Sequence, residues 1–591
     1  MSVCDPDVLA GPELMPAASA ETAKLPGTAG ATGKEASRTA QALVGLTLLG
    51  GLAACGGGGG GSDAGAQAGG TTTGADASVT RPSVADAARF LVQATPGYTA
   101  ADLSDVVANG YNAWLNTQFA VPRSQGHCEW LDAHGYNAAS NIFSTAGLDN
   151  TIWRKLISSG DPLRQRMVLA LSEICVVSVL GVNASWRQYA VAHYLDLLEA
   201  NAFGNYRTLL QDISLSPAMG YYLTFRGSAK ANPKTGSQPD ENYARELMQL
   251  FTIGLVQLNA DGSVKTRSDG SALETYTQAD VSGLARVFTG WNVDVSGLTS
   301  PYPADFQQRP MVSVASQYET GSKTFLGKTI AAGTPAMDAL NQALDTLFQH
   351  PNLPPFISRQ LIQRLVTSNP SPAYVARVSA VFANNGAGVR GDLQAVIKAI
   401  LLDTEARSAT TAALPTFGKL REPVMRFLAW ARAFRATSPS DAWAVGDLSD
   451  PASRLGQSPM HSGSVFNFFR PGYVPPGTAL ADQGLVGPEF QIANESSVAG
   501  YVNYMQRVVA GSGAGDLTPD YSSLLALAAD ATALLAEINR VLAGGQLSTQ
   551  TLNLIQGAVA TLPATNQATS LKRIQAALVL VLASPEFIVQ K

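Results

Sequence analysis

From about residue 83 onward, apolar positions recur at intervals of three and four, the spacing that lines one face of an α-helix. No alternating apolar and polar series runs long enough to build a sheet domain. The segment after Thr277 shows the helical pattern most clearly. Thr277 can cap, Asp280 stands at the third helical position, Val281, Leu284, Ala285 and Phe288 follow at i, i+3, i+4 and i+7, and Gly290 offers a stop. Thr99 and Asp102 repeat that capping box. At Asp161-Pro162 the Asp is predicted to cap, and the Pro takes the first helical position, where its missing N–H costs nothing. Leu163, Met167, Leu169, Ala170, Leu171 and Ile174 make this helix apolar around most of its surface, so it is predicted to be central, with Arg166 and Glu173 inside it. Further helices are predicted over 354–366, 372–382, 393–402, 422–434, 522–542 and 571–582. Between 259 and 275, Asp-Gly turns alternate with β-branched runs and predict a small hairpin. The expected fold is mainly α: one large helical domain over 81–591 with long ordered loops.

The amino-terminal part reads differently. The first forty residues carry isolated charges and no sustained apolar period, so they are not expected to form a core. Lys34 and Arg38 then precede an apolar run over 42–52. It is too short to cross a hydrocarbon layer of roughly 30 Å, but it has the length of a signal-peptide core. It ends Leu52-Ala53-Ala54-Cys55, which resembles a bacterial lipobox, so Cys55 is predicted to become a lipid-bearing amino terminus after cleavage of 1–54. Six glycines follow directly, which no buried helix could continue through. Residues 56–80 therefore read as a coil tether reaching about 25–30 Å. Gly56 after the Cys favours the outer membrane, where a cell has one.

Composition narrows the function classes. With 40 basic against 45 acidic residues there is no positive field to gather nucleic acid. Charged residues make up 14% of the chain and hydrophobic residues 46%, so core material is ample and the surface must lean on uncharged polar groups. Of the cysteines that survive cleavage, Cys128 lies in a polar stretch and Cys175 in an apolar helix, where a buried thiol is expected; the sequence does not establish whether they pair. His127, His134, His193, His350 and His461 are scattered without zinc-ligand spacing, so no metal is predicted. A G-x-S-x-G elbow, a P-loop and an H-E-x-x-H motif are all absent.

The segment 240–255 is the richest in candidate chemistry. Tyr243, Leu247, Leu250 and Phe251 form an apolar stripe, while Asn242, Arg245, Glu246 and Gln249 fall on a second, polar one, with Glu241 able to pair with Arg245 across one turn. A positioned Glu beside an Arg and an amide suits general acid–base work or the holding of a polar substrate. The same pattern also suits a polar lock between neighbouring helices.

That segment, together with Tyr276-Thr277-Gln278-Ala279-Asp280 through Phe288-Thr289-Gly290-Trp291 and Lys323-Thr324-Phe325-Leu326-Gly327, resembles the bacterial family called domain of unknown function 1800. The likeness extends from Ala87-Ala88-Arg89-Phe90-Leu91 to Ala583-Ser584-Pro585-Glu586-Phe587, nearly all of the chain after the tether. The resemblance implies export. Such proteins are often encoded beside a second secreted family, the domain of unknown function 1501, which makes a member of that family the implied partner. Where the family carries a His before its acidic residue, Gly and Lys, this chain has Tyr318, which removes any role resting on that His.

Two function classes stay open. The first is a hydrolase of an extracellular glycan or peptide, with Glu246 and Glu241 as acid and base, Glu173 as a carboxylate from another helix, and Asn242 and Arg245 as orienting groups. The second is a non-catalytic surface protein that binds or assembles with another exported protein. Lys323 is either an anion contact or an exposed turn residue. The loop 456–477 gathers Phe466, Phe468, Phe469 and Tyr473 with His461, Asn467 and Arg470. Aromatic faces beside Asn467, Arg470 and Tyr473 suit sugar rings or acidic polymers, or the loop plugs the core with its aromatics.

Overall fold

The computed structural model describes residues 81–591. The leader, the 42–52 run, Cys55 and the glycine tether lie outside these residues. Among the described residues, helices dominate and the strands form three short antiparallel pairs, the first of them β1 (Trp291–Asn292) with β2 (Val312–Ser313), a mainly α fold.

The capping signals place the first helices. α1 (Val84–Ala94) is followed by α2 (Ala100–Ala120), which opens on the Thr99/Asp102 capping box. α3 (His127–Ala133) and α4 (Leu148–Ser158) precede α5 (Pro162–Ile174). Every residue of α5 is buried, the central place that its sequence predicted. Asp161 departs from expectation at its start. Its side chain makes no cap bond and instead meets Arg164 Nε at 3.2 Å, because burial beside a guanidinium outbids a backbone N–H.

α6 (Arg187–Asn201) packs on α3, α4 and α5 and also meets α7 (Tyr206–Ser214) and α8 (Pro217–Tyr222). α9 (Asn242–Gln249) packs against α10 (Gln278–Ala285), and α10 lies on the hairpin of β3 (Lys323–Phe325) and β4 (Lys328–Ile330). The approach of α10 to β3 requires Gly283, since a Cβ there would overlap the Thr324 carbonyl oxygen. Isolated bridges pair Val256 with Glu274, Leu258 with Val264 and Thr266 with Ala272, the small hairpin predicted between 259 and 275.

α11 (Ala336–Gln349), α12 (Leu353–Leu365), α13 (Pro372–Ala383) and α14 (Leu393–Leu401) follow, with α12 contacting α5, α11, α13 and α14. The predicted helix over 522–542 is two helices. Ser522–Leu525 ends early, and Asp530 caps a new start at Ala531 by accepting from the Thr532 and Ala533 N–H groups. The last predicted helix begins earlier than its apolar period, at Gln567, because Asn566 and Thr569 form a capping box. Among the described residues no helix is long and apolar enough to cross a membrane.

Buried arginines tie the helices where the packing leaves carbonyls open. Arg432, on the buried helix Pro423–Ala433, donates from Nε to Gly97 O at 2.9 Å, from Nη1 to Leu156 O and Ile157 O, and from Nη2 to Ser159 O at 3.1 Å. It satisfies the carboxyl end of α4 and fixes the turn before α2. Replacing Arg432 with Met strands four acceptors in the interior, and unfolding in denaturant is expected to show a loss on the order of 3–5 kcal/mol.

Candidate functional site

α9 stands where the sequence analysis placed its chemistry, and its back is fixed first. Tyr243 and Leu247 are fully buried, the Tyr243 hydroxyl hydrogen-bonds Ser214 Oγ at 2.6 Å, and its ring stacks on Phe225 at 4.3 Å. The front carries the polar residues, and they separate. Glu241 Oε1 accepts from Ser282 Oγ at 2.6 Å, and its Oε2 accepts from Gln278 Nε2 at 2.7 Å and Arg245 Nη2 at 3.1 Å. Partial burial pushes this carboxyl up, but those hydrogen bonds and the arginine outweigh it and hold it below the ordinary range. Asn242 Nδ2 donates to Thr224 Oγ1. Glu241, Asn242 and Arg245 thus join α9 to its neighbours.

Glu246 faces inward. It is 8% exposed, its Oε2 meets no partner among the described residues, and burial pushes its carboxyl up to about 6 against the weaker pull of Arg245.

Glu173 lies in another set of charges. Its Oε2 is 3.2 Å from Arg364 Nε, and Arg364 also donates to the Glu173 carbonyl. Burial and the neighbouring Glu422 push the Glu173 carboxyl well up. Burial also penalises Glu422, but the charge of Lys419, the neighbouring Glu173 carboxyl, Arg166 and Arg364 outweigh it and hold Glu422 below the ordinary range. Lys419 Nζ is 2.9 Å from Glu489 and 3.6 Å from Glu422, and Gln457 Nε2 donates to Glu422 at 2.7 Å. Of these two coupled carboxyls, Glu173 is pushed toward its neutral form and Glu422 toward its ionised form.

The loop 456–477 presents different residues to its two sides. Phe469 is buried over the Arg364 guanidinium, with Arg364 Cζ 5.1 Å from the ring centroid, and Asn467 adopts a left-handed φ of 61°. On the inner side, Asn467 and Phe468 join Glu173, Ser172, Gln457, Ser458 and Ser462 around a cavity of about 20 Å³, room for one water molecule. On the outer side, Phe466, Arg470 and Tyr473 line an open cleft of about 640 Å³. Gln249 and Leu250 at the end of α9, the apolar strip Leu255, Val256 and Leu258, and Phe356, Arg359, Gln360 and Gln363 on α12 complete it. Its size is that of a ligand site.

Among the described residues, no carboxylate lines the cleft. Arg470 sits over Phe466 at 4.8 Å, and burial alone lowers the Arg359 guanidinium, with no acid beside it among the described residues. Of the predicted binding residues, Arg470 and Tyr473 belong to the cleft. Asn467 faces the inner cavity, while Glu246, Glu241, Glu173, Asn242 and Arg245 do not line the cleft. Lys323 is neither exposed nor in a turn. It is fully buried on β3, lies 4.7 Å from the Tyr318 ring centroid and donates to Gly321 O. His461 Nε2 meets Asp149 Oδ1 at 2.7 Å, a contact that clamps the loop to α4.

The fold brings together residues that the sequence keeps apart. Cys128 on α3 and His193 and Asp196 on α6 bring their ligand atoms within 4.8 Å of one another. The only local signal was the His and Asp one helical turn apart. Cys128 and Cys175 are both free and buried, as expected for Cys175.

Glu246 makes a pH signature. Its folded value of about 6 lies above the ordinary carboxyl value, so its contribution is present below about 4.5 and is lost as pH rises through about 6. Glu246→Gln fixes the neutral form. It is expected to raise stability at pH 8 by about 1 kcal/mol, after a discount for its partial solvent contact, and to leave it unchanged at pH 4, as read from unfolding midpoints.

The model of the family described as a protein of unknown function, DUF1800, matches residues 89–589. No curated protein matches the chain, and no solved structure does. The match runs from α1 into the last strand and takes in α9, the hairpins and the aromatic loop, so the chain belongs to the DUF1800 family.

Proposed function

We propose that this chain is an exported protein, anchored by lipid on Cys55, whose folded part binds an acidic and apolar polypeptide segment of another exported protein. The observation that carries this reading is the cleft beside the loop 456–477, where Arg359 and Arg470 stand in a largely apolar lining that holds no carboxylate among the described residues. Leu255, Val264 and Val474 are exposed there, at 56%, 44% and 38%. Covering such surface stabilises a complex by about 25 cal/mol per Å² before association costs. The cleft mixes aliphatic Leu255, Val256, Leu258 and Val264 with the rings of Phe356, Phe466 and Tyr473, a lining that suits apolar peptide side chains, and the two guanidinium groups suit carboxylates. The domain of unknown function 1501 family remains the partner that the sequence resemblance implies. The hydrolase reading has one observation in its favour, the raised carboxyl of Glu246 with its open oxygen.

A display library of extended peptides is expected to enrich acidic and apolar segments on the wild-type protein. Arg359→Ala with Arg470→Ala should weaken the selected peptides at least about tenfold, since each charged hydrogen bond is worth roughly 1.5–3 kcal/mol. Equal enrichment on wild type and the double variant, or enrichment of polysaccharides alone, sinks the reading. Cys55→Ser is expected to move the protein from the membrane to the soluble fraction.

A further inference from the structure

The first turn of α3 is held against α6 by Asp196. Its Oδ1 accepts the His127 N–H at 2.7 Å and its Oδ2 the Cys128 N–H at 3.1 Å. The Tyr189 hydroxyl adds a bond to Asp132 at 2.8 Å, closing the same two helices together. This places Cys128 opposite two residues of α6 that share a face one turn apart, His193 and Asp196.

The three side chains have complementary chemistry. Cys128 is 5% exposed, and its Sγ lies 3.7 Å from the Tyr189 carbonyl. His193 brings an imidazole nitrogen, the commonest metal ligand among protein side chains. Asp196 brings a carboxylate already oriented by two backbone N–H groups, the outer support that ligating carboxylates need. One turn further along α6, Glu199 is fixed by Lys155, by Gln165 at 3.1 Å and by His127 at 3.4 Å, which stiffens the helix beneath the trio.

An open pocket of about 740 Å³ reaches Cys128 and Asp196 from solvent, lined also by Arg123, Gln125, Glu129 and Gln308. We propose that Cys128, His193 and Asp196 form a binding site for a thiophilic divalent cation, zinc above all, with a fourth position open to water from this pocket. One sulfur, one nitrogen and one oxygen donor with an open position is a zinc-type set, and the thiolate disfavours magnesium and calcium. The ligand atoms lie within 4.8 Å of one another. Tetrahedral zinc bonds of about 2.0–2.3 Å set donors roughly 3.5 Å apart, so closure takes a side-chain movement of about 1 Å. On binding, the S–H bond breaks, sulfur donates the electron pair to the cation, and the proton leaves to solvent.

The metal-stripped, purified full chain, dialysed against zinc at micromolar free concentration, is expected to hold one zinc per chain. Cys128→Ala and His193→Ala should each weaken it at least tenfold, with far-ultraviolet circular dichroism unchanged, while Cys175→Ala keeps the full stoichiometry. Cobalt added to the wild-type protein should give a thiolate-to-metal charge-transfer band, a readout that needs no variant to fold. A wild-type protein that binds no zinc and shows no such band overturns the site. Stoichiometry unchanged in folded Cys128→Ala and His193→Ala overturns it equally.

Discussion

The interior charge set around Glu173 is the constraint on which the rest of the molecule depends. Arg166 and Glu173 come from α5, Arg364 from α12, Lys419 and Glu422 from the segment that leads into the helix Pro423–Ala433, and Glu489 from the short turn Pro488–Ile492. Each is buried. Ions taken out of water cost several kcal/mol apiece, and they are tolerated only when opposed charges and hydrogen bonds arrive together. Four segments far apart in sequence must therefore meet in one register or none of them is satisfied. Arg166 donates to the Arg364 carbonyl and Lys419 to the same oxygen, so even the backbone of α12 is drawn into the set.

The cleft inherits its shape from that set. Gln457, at the start of the aromatic loop, is held by Glu422, and Phe469 further along is held over Arg364. Between these anchors the loop has no ladder of its own, and its turn at Asn467 directs successive residues to opposite sides. Phe466 and Arg470 face out because Asn467 to Phe469 are committed inward. The recognition surface and the buried ions are two sides of one strip of chain.

The helices were legible in the sequence because capping and period are local. Thr99, Thr277 and the apolar length of α5 announced themselves. Errors arose where a local rule met a distant partner. Asp161 was drawn from its cap by Arg164, and the break before Ala531 was hidden because its apolar residues keep helical spacing across it while only Asp530 marks the restart. The candidate site followed the same division. The polar stripe on α9 could be read from spacing, but spacing does not say that Ser282 and Gln278 would occupy Glu241 or that Glu246 would face inward. Lys323 looked like a turn residue, yet Tyr318 and the hairpin cover it. Cys128 and His193 meet only through the packing of α3 on α6, a tertiary fact with no sequence spacing to betray it.

The final strand has a consequence for the order of folding. β5 (Lys419–Leu420) pairs with β6 (Val589–Gln590), and the Gln590 side chain donates to the carbonyls of Leu365 and Val366 where α12 ends. Gln93 on α1 donates to the Lys591 carbonyl, and α1 packs on β6. The two ends of the described chain therefore close on each other over the middle of the sequence. Contacts this distant pay their loop entropy before they return any stability. A ribosome releasing this chain from its amino terminus delivers α1 long before the strand that covers it, so the two can pack only after the intervening residues 95–588 have emerged.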